Sequence, residues 1–232
     1  MNSIAFISDI HGNITALDAV FEDLDRRGIT EIYCLGDLVG YYCFFNEVID
    51  AISKRNIPCL MGNHDFAIVH NNGVIERSKT CTRILSWQLP LLTSHSLSFL
   101  NALEKSKEIP VFGKQSLCVH AGLVDPVDEY VFDVNSEYLR NNQFSQDVLI
   151  TGHTHLPSYK KFFDGKAWLN PGSVGQPRDG DNRASYLVIN ENFDVEFVRI
   201  PYDYRIIVNE MRKNGFDDYI TDPLIAGKKI GL

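Results

Sequence analysis

The chain has no Cys-x-x-Cys pair, no surplus of basic residues, and no apolar run near the roughly 20 residues of a membrane span. Each absence removes a class of protein. The five cysteines, Cys34, Cys43, Cys59, Cys81 and Cys118, are odd in number and scattered, several of them inside apolar runs. That usage fits reduced core thiols in a cytoplasmic protein and not a disulfide framework or a zinc clip. A formal net charge of −8 argues against a broad basic surface for nucleic acid or an anionic membrane. A small phosphate-ester or nucleotide substrate stays compatible with it, because bound divalent cations would dominate the local field. The first residues carry no basic flank and their apolar run is cut at Asp9, which predicts no signal peptide.

What the sequence does contain is one local pattern, repeated. Ile4-Ala5-Phe6-Ile7 runs into Ser8-Asp9-Ile10-His11, and Ile32-Tyr33-Cys34-Leu35 runs into Gly36-Asp37. Cys59-Leu60-Met61 runs into Gly62-Asn63-His64-Asp65, Leu117-Cys118-Val119 into His120, and Val148-Leu149-Ile150-Thr151 into Gly152-His153-Thr154-His155. Short apolar runs of this kind suit buried strands of a sheet covered on both faces, although periodicity alone does not separate them from buried helix. In open α/β sheets ligands gather beyond the carboxyl ends of the strands, so these polar ends converge on one site.

At 232 residues the chain is expected to form a single domain, 1–232, around a sizeable core. Leu17, Val20, Phe21 and Leu24 form an amphipathic helical stripe that Gly28 stops. A second helix begins near Asn46 with Val48, Ile49 and Ile52 as its buried positions, and Pro58 leads into a strand at Cys59. The β-α-β-α-β order over roughly residues 3 to 62 implies a parallel sheet. From about residue 66 to 107 the pattern is helical. Ile84, Leu85 and Trp87 predict a helix ending before Pro90, and Leu97, Leu100 and Leu103 another capped by Ser94. This segment either covers the site or flanks the sheet, and flanking is the preferred reading. Strand-like runs return at 109–112, 116–120, 147–151, 159–163, 184–190 and 193–200, richer in antiparallel pairs than the first half. Val208 and Met211 predict a terminal helix stopping at Gly215.

Asp9, His11, Asp37, Asn63, His120, His153 and His155 supply oxygen and nitrogen donors without thiolate. That set is too rich for one four-coordinate ion and suits two borderline or hard cations such as Mn²⁺, Fe or Zn²⁺. Two ions about 3.5–4 Å apart activate a water and hold a phosphoryl group for in-line displacement. His64 is then placed to stabilise developing charge or protonate a leaving oxygen. Asp65 either fixes the tautomer of His64 or caps the next helix. Arg178 either clamps a phosphate or pairs with Asp179 or Asp181. The aromatic stretch Tyr41-Tyr42-Cys43-Phe44-Phe45 either stacks a nucleobase or packs as a loop, and packing is preferred. His70 and His95 are read as ordinary surface or packing residues.

The ordered set Asp-x-His, Gly-Asp, Gly-Asn-His-Asp, a lone His and Gly-His-x-His across residues 9 to 155 resembles the calcineurin-like metallophosphoesterase superfamily. Asn170-Pro171-Gly172-Ser173-Val174-Gly175-Gln176-Pro177-Arg178 and Val198-Arg199-Ile200-Pro201-Tyr202-Asp203 are similar to its small bacterial and archaeal phosphodiesterase-like branch. The resemblance implies a four-layer α-β-β-α sandwich of two mixed sheets with flanking helices. It implies that Asp9, His11, Asp37 and His155 hold one ion, that Asp37, Asn63, His120 and His153 hold the other, and that Asp37 bridges them. His64 would contact the scissile phosphate, Asp65 would orient it, and a metal-bridging hydroxide would be the nucleophile. Mn²⁺ is the first choice of metal, with Fe, Zn²⁺, Ni²⁺ or Co²⁺ as alternatives. The implied activity is hydrolysis of phosphodiester or nucleotide phosphoanhydride bonds. A protein or phosphomonoester phosphatase, or a non-catalytic binding scaffold with the same fold, is the alternative. The chain departs from the superfamily at Gly40, where many members carry Asp, and departs from the branch in the aromatic loop that follows.

Overall fold

The first strand, β1 (Ser3–Ile7), is buried on both faces: Ile4 and Phe6 belong to one apolar cluster, and Ala5 and Ile7 to another. A strand with two dry faces needs a layer on each side, and the computed structural model, which describes residues 2–70 and 78–230, supplies both. In chain order β1 is followed by α1 (Ile14–Arg27), β2 (Glu31–Cys34), α2 (Phe45–Lys54), α3 (Asn63–Val69), α4 (Lys79–Gln88), α5 (Ser94–Asn101), β3 (Ser106–Val111) and β4 (Lys114–Val119). Then come α6 (Ser136–Asn141), β5 (Val148–Ile150), β6 (Pro157–Lys161), β7 (Ala167–Pro171), β8 (Ala184–Asn190), β9 (Val195–Ile200), α7 (Tyr204–Lys213) and α8 (Asp218–Ala226).

Two mixed sheets result, ordered β2-β1-β8-β9 and β3-β4-β5-β7-β6. In the first, β1 and β2 are parallel while β8 lies antiparallel to both β1 and β9. In the second, β4, β5 and β7 are parallel, flanked by antiparallel β3 and β6. Ile4, Phe6, Leu187 and Ile189 of one sheet pack on Ile109, Cys118, Val148, Ile150 and Leu169 of the other, forming the dry seam of the sandwich. The opposite face of the first sheet is covered by α1 and α2 through Leu17, Val20, Leu24, Val48, Ile49 and Ile52. Leu139 of α6, with Phe144, covers Val119, Leu149 and Trp168 on the far side of the second sheet. The sandwich with flanking helices that the family resemblance implied is therefore present. Among the described residues no helix is long and apolar enough to cross a membrane.

Several local expectations need correction. The Cys59 run is not a strand: only isolated bridges, Cys34 to Cys59 and Leu60 to Glu104, tie it between the sheets. Its pairing with β2 extends no further than Cys34, which donates to the Pro58 carbonyl and accepts from the Leu60 N–H. Thr93, not Ser94, caps α5 by accepting from the Ser96 N–H, and Leu97 faces solvent while Leu100 is buried. Helix α4 does end before Pro90, which sits in a single 3₁₀ turn, Leu89–Leu91, that follows it. The strand β7 has no counterpart in the apolar pattern because its last two residues are Asn170 and Pro171. Helix α8 was hidden by Pro223 within it. Gly28 does close α1 in the left-handed region, its N–H donating to Asp25 and Leu24 carbonyls.

Candidate metal centre

Asp9 and His11 follow β1, Asp37 follows β2, Asn63 and His64 open α3, His120 follows β4, and His153 and His155 follow β5. All are buried. The backbone brings them together before any side chain does. Asp9 N–H donates to the Gly36 carbonyl at 3.0 Å, and Ile10 and His11 N–H both donate to the Asp37 carbonyl at 2.9 Å, zipping the loops of the first sheet. Gly152 N–H donates to the His120 carbonyl at 2.8 Å, and His153 N–H donates to Asp9 Oδ2 at 3.0 Å, fastening the second sheet's loops to the first. Asp9, His11, Asp37, His153 and His155 all have φ between 51° and 64°, a region that residues with a Cβ rarely adopt. Each such residue costs about 1–3 kcal/mol and persists only where its surroundings over-determine it.

Three imidazoles are held by the same device. Nδ1 of His11 meets the Val39 carbonyl at 2.9 Å, Nδ1 of His120 the Leu35 carbonyl at 2.9 Å, and Nδ1 of His155 the Gln176 carbonyl at 2.5 Å. A carbonyl only accepts, so Nδ1 carries the hydrogen and Nε2 is the atom turned inward, with a lone pair free wherever the ring is neutral. The Nε2 atoms of His11 and His155 face each other at 3.2 Å. Two lone pairs at that distance repel unless something electron-poor lies beside them. Asp9 Oδ1, 3.3 Å from His155 Nε2, is buried and has no hydrogen-bond donor among the described residues. A carboxylate oxygen and two imidazole nitrogens, all within 4.8 Å of one another, fit a borderline divalent cation.

A second group lies alongside. Asp37 Oδ2 is 3.5 Å from His120 Nε2 and 3.6 Å from His11 Nε2, and His153 joins Asp37 and His120 within the same 4.8 Å span. Asn63 Oδ1 reaches His120 Nε2 at 3.3 Å. The structure thus gathers all seven sequence-derived donors, with Asp37 between the two groups.

Burial keeps most of these rings neutral. It pulls His11 down to about 3, His153 down to about 2 and His155 well below the usual imidazole range, with Arg178 adding to the effect on His155. His120 is the exception: burial opposes its charge, but the Asp37 carboxylate overcomes that and raises it to about 10. Burial likewise opposes the charge of Asp37, which His120, His64 and His11 nevertheless hold well below the usual carboxylate range. The buried Asp37 charge thus favours a compensating positive charge beside it, which a cation would supply.

His64 donates its backbone N–H to Asp37 Oδ1 at 2.9 Å, and its ring stands edge-on to His11 at 4.8 Å between centroids. Its Nδ1 lies 3.7 Å from Cys81 Sγ of α4. Asp65 corrects one expectation. Its carboxylate accepts from the backbone N–H groups of Asp37 at 2.8 Å, Leu38 at 3.0 Å, Val39 at 3.2 Å and Gly62 at 3.1 Å, not from the His64 ring. It caps α3 and fixes the loop that carries Asp37, because four convergent N–H donors outcompete a ring pointing elsewhere. Burial and the neighbouring Asp37 charge push its carboxyl up to about 7, against the pull of the Gly62 and Val39 N–H groups.

Helix α4 is tied to the site and does not merely flank the sheet. Gln88 at the end of α4 accepts from Gly40 N–H at 2.8 Å and donates to the Tyr42 carbonyl at 2.7 Å, bracketing the aromatic loop. Residues 71–77 of that segment lie outside the described residues. In the aromatic loop Tyr42 and Phe45 are buried, and the Tyr41 ring rests on His11 at 4.4 Å and His64 at 4.9 Å, so the loop packs. Arg178 pairs with neither candidate carboxylate: Asp179 is taken by Arg199 and Asp181 by Arg183. It donates instead to Tyr41 OH at 3.0 Å and Gln176 Oε1 at 3.3 Å, which places its guanidinium beside the centre.

Two neighbours escaped sequence reasoning. Asp128 Oδ1 is 3.8 Å from His153 Nε2, and the Tyr130 ring centroid is 3.9 Å from that of His153. The available signal was the acidic and aromatic run Asp125 to Asp133 a few residues after His120, in a loop where ligand-facing groups concentrate.

The sequence profile of the calcineurin-like phosphoesterase superfamily domain matches residues 2–192. The uncharacterized protein MJ0912 of Methanocaldococcus jannaschii is 34% identical over 241 residues, an alignment covering 97% of this chain and 98% of that one. A metallophosphoesterase from Sphaerobacter thermophilus has a crystal structure similar to this one, with TM-score 0.83 and 29% identity over 97% of this chain and 99% of that chain. The hypothetical protein PH1004 of Pyrococcus horikoshii shares the fold at TM-score 0.88 and 22% identity, over 99% of this chain and 100% of that chain. With a profile spanning most of its length and a relative about one-third identical from end to end, the chain belongs to the calcineurin-like phosphoesterase superfamily, a family of metal-dependent enzymes acting on phosphate esters.

Proposed function

We propose that the chain is a dinuclear metal-dependent phosphoesterase that cleaves phosphodiesters or nucleotide phosphoanhydrides in preference to monoesters. The observation that carries this reading is two buried donor groups, Asp9–His11–His155 and Asp37–His120–His153, linked by a third, His11–Asp37–His64, that shares one residue with each. Asp9, His11, Asp37 and His155 would hold one divalent cation, and Asp37, Asn63, His120 and His153 the other. Two cations there would supply an activated water and neutralise the phosphoryl charge.

The chain's own residues do the rest. The Nδ1–carbonyl bonds of His11, His120 and His155 aim the ligand nitrogens, and Asp65 clamps the Asp37 loop. Tyr41 and the buried walls exclude water from one side of the site. The His64 ring borders the donor groups, close enough to stabilise charge on a bound phosphoryl group or to protonate its leaving oxygen. Arg178, held by Tyr41 OH, presents a planar fork suited to a second phosphate oxygen. This oxygen and nitrogen donor set without thiolate suits Mn²⁺, Fe or Zn²⁺, and Mn²⁺ is the ion proposed, as the family resemblance implies.

The test is hydrolysis of bis-p-nitrophenyl phosphate against p-nitrophenyl phosphate by one Mn²⁺-reconstituted preparation. Diester cleavage exceeding monoester cleavage and abolished by chelator is the expected result. Failure to cleave either ester with two metals bound per chain overturns the reading.

A further inference from the structure

The loop 122–133 between β4 and α6 places two aromatic rings in solvent at the edge of the metal centre, and it does so rigidly. Glu129 Oε2 accepts from Val124 N–H at 2.8 Å and from Tyr138 OH at 2.9 Å, while Ala121 and Gly122 N–H donate to the Pro126 and Asp125 carbonyls. Val127, Val131 and Val134 are buried, and Val131 and Val134 pack with Leu139, Phe144 and Trp168. Tyr130 and Phe132 flank Val131, so anchoring that valine turns both rings outward; they are 46% and 62% exposed. Their exposure is built in, at the cost of hydrating two large apolar faces.

The rings are also aligned. His153 and Tyr130 lie 3.9 Å apart between centroids, and Tyr130 and Phe132 stack at 5.7 Å with planes 14° apart. A column of rings therefore runs from a proposed metal ligand out to solvent. Lys229 Nζ stands 5.4 Å from the Tyr130 centroid, which adds positive charge beside the column. The aromatic stretch 41–45 offers nothing comparable, since its rings are packed against the ligands and the core.

We propose that Tyr130 and Phe132 form a base-binding subsite, taking the nucleobase of a nucleoside phosphate whose phosphate lies at the metal centre beside His153. The proposal rests on the phosphoesterase reading for where the phosphate lies. An exposed, pre-ordered π face accepts any base by stacking and loses little conformational freedom in doing so. Cations held by the adjoining donor groups would fix the phosphate end. A ligand with a phosphate but no planar end gains only half of these contacts, so the subsite selects nucleotides over sugar phosphates.

Isothermal titration of the Mn²⁺-loaded protein with adenosine 5′-monophosphate and with ribose 5-phosphate tests this without requiring turnover. The nucleotide should bind about tenfold more tightly, the scale of one base–aromatic stack. Phe132→Ala should bring the nucleotide to the level of the sugar phosphate, while Phe132→Trp should keep the preference. Equal affinities in the wild type, or a preference untouched by Phe132→Ala, overturn the subsite. Hydrolysis of bis-p-nitrophenyl phosphate by the same preparation separates the two readings. Cleavage without base preference removes the subsite alone, whereas a Phe132-dependent base preference without any cleavage supports the subsite and removes the phosphoesterase reading.

Discussion

The His64 ring fills the space in which a side chain at Gly40 would stand: a Cβ built there lies 2.2 Å from His64 Nδ1. Gly40 also has φ +90°, a conformation costly for any other residue. The superfamily's frequent Asp at this position is thus sterically incompatible with the ring as placed here. Gly40→Ala should push His64 off the centre, lowering turnover by tenfold or more while metal content, read by elemental analysis, stays near that of the wild type. Unchanged turnover would show that the ring position does not matter to the chemistry.

Asp37 and His64 should separate metal binding from catalysis. Asp37→Asn removes charge from the carboxylate that stands 3.6 Å from His11 Nε2 and 3.5 Å from His120 Nε2, and, as the proposed bridge is lost, should reduce both metals. His64→Ala should spare metal content and lower turnover by at least about a hundredfold, the range of a lost acid or base. Equal metal loss in the two variants contradicts the assignments.

Asp65 is expected to act on stability more than on chemistry. Asp65→Ala strips the partner from four buried N–H groups that bind one carboxylate. Leaving buried donors unsatisfied costs about 1–3 kcal/mol each where water cannot enter, so a loss of at least roughly 3 kcal/mol should appear in urea unfolding. A loss under 1 kcal/mol would mean that water replaces the carboxylate.

Stability of the metal-free protein should depend on pH in a defined sense. His11 at about 3, His153 at about 2 and the strongly lowered His155 stay neutral when folded but titrate near 6.5 when unfolded. Below that pH the unfolded chain binds more protons, so stability falls as pH drops from about 6.5 toward 3, by about 1.4 kcal/mol per proton per pH unit. Asp65, raised to about 7, works the other way between about 4 and 7 and offsets one of the three. His120, raised to about 10, stabilises fully below 6.5 and loses that contribution as pH rises toward 10. The profile should therefore peak near neutrality in chelator; a flat profile between pH 4 and 7 would contradict it.

The seven donors were legible because each follows an apolar run, and burying a polar cluster at a strand end needs a reason. The two mixed sheets were legible only through the family resemblance, since the apolar pattern alone pointed to a parallel sheet in the first half. Asp65 was ambiguous for a plain reason: a carboxylate three residues into a helix looks the same whether it serves a side chain or four backbone N–H groups. Gln88 carried no signal, because its partners, Gly40 N–H and the Tyr42 carbonyl, are more than forty residues away in sequence. Tyr130 and Phe132 could not be placed either. Only the burial of Val131 between them decides which way the rings face.

Asp9 and His11 hang from one sheet, and His153 and His155 from the other, and the bond from His153 N–H to Asp9 Oδ2 runs directly between the two pairs. Ions held among them would act as a rivet through the open end of the sandwich. The sheets could not part there without ejecting the ions, so metal affinity and the stiffness of that end become one thermodynamic quantity. Chelation would then free a hinge as well as empty a site.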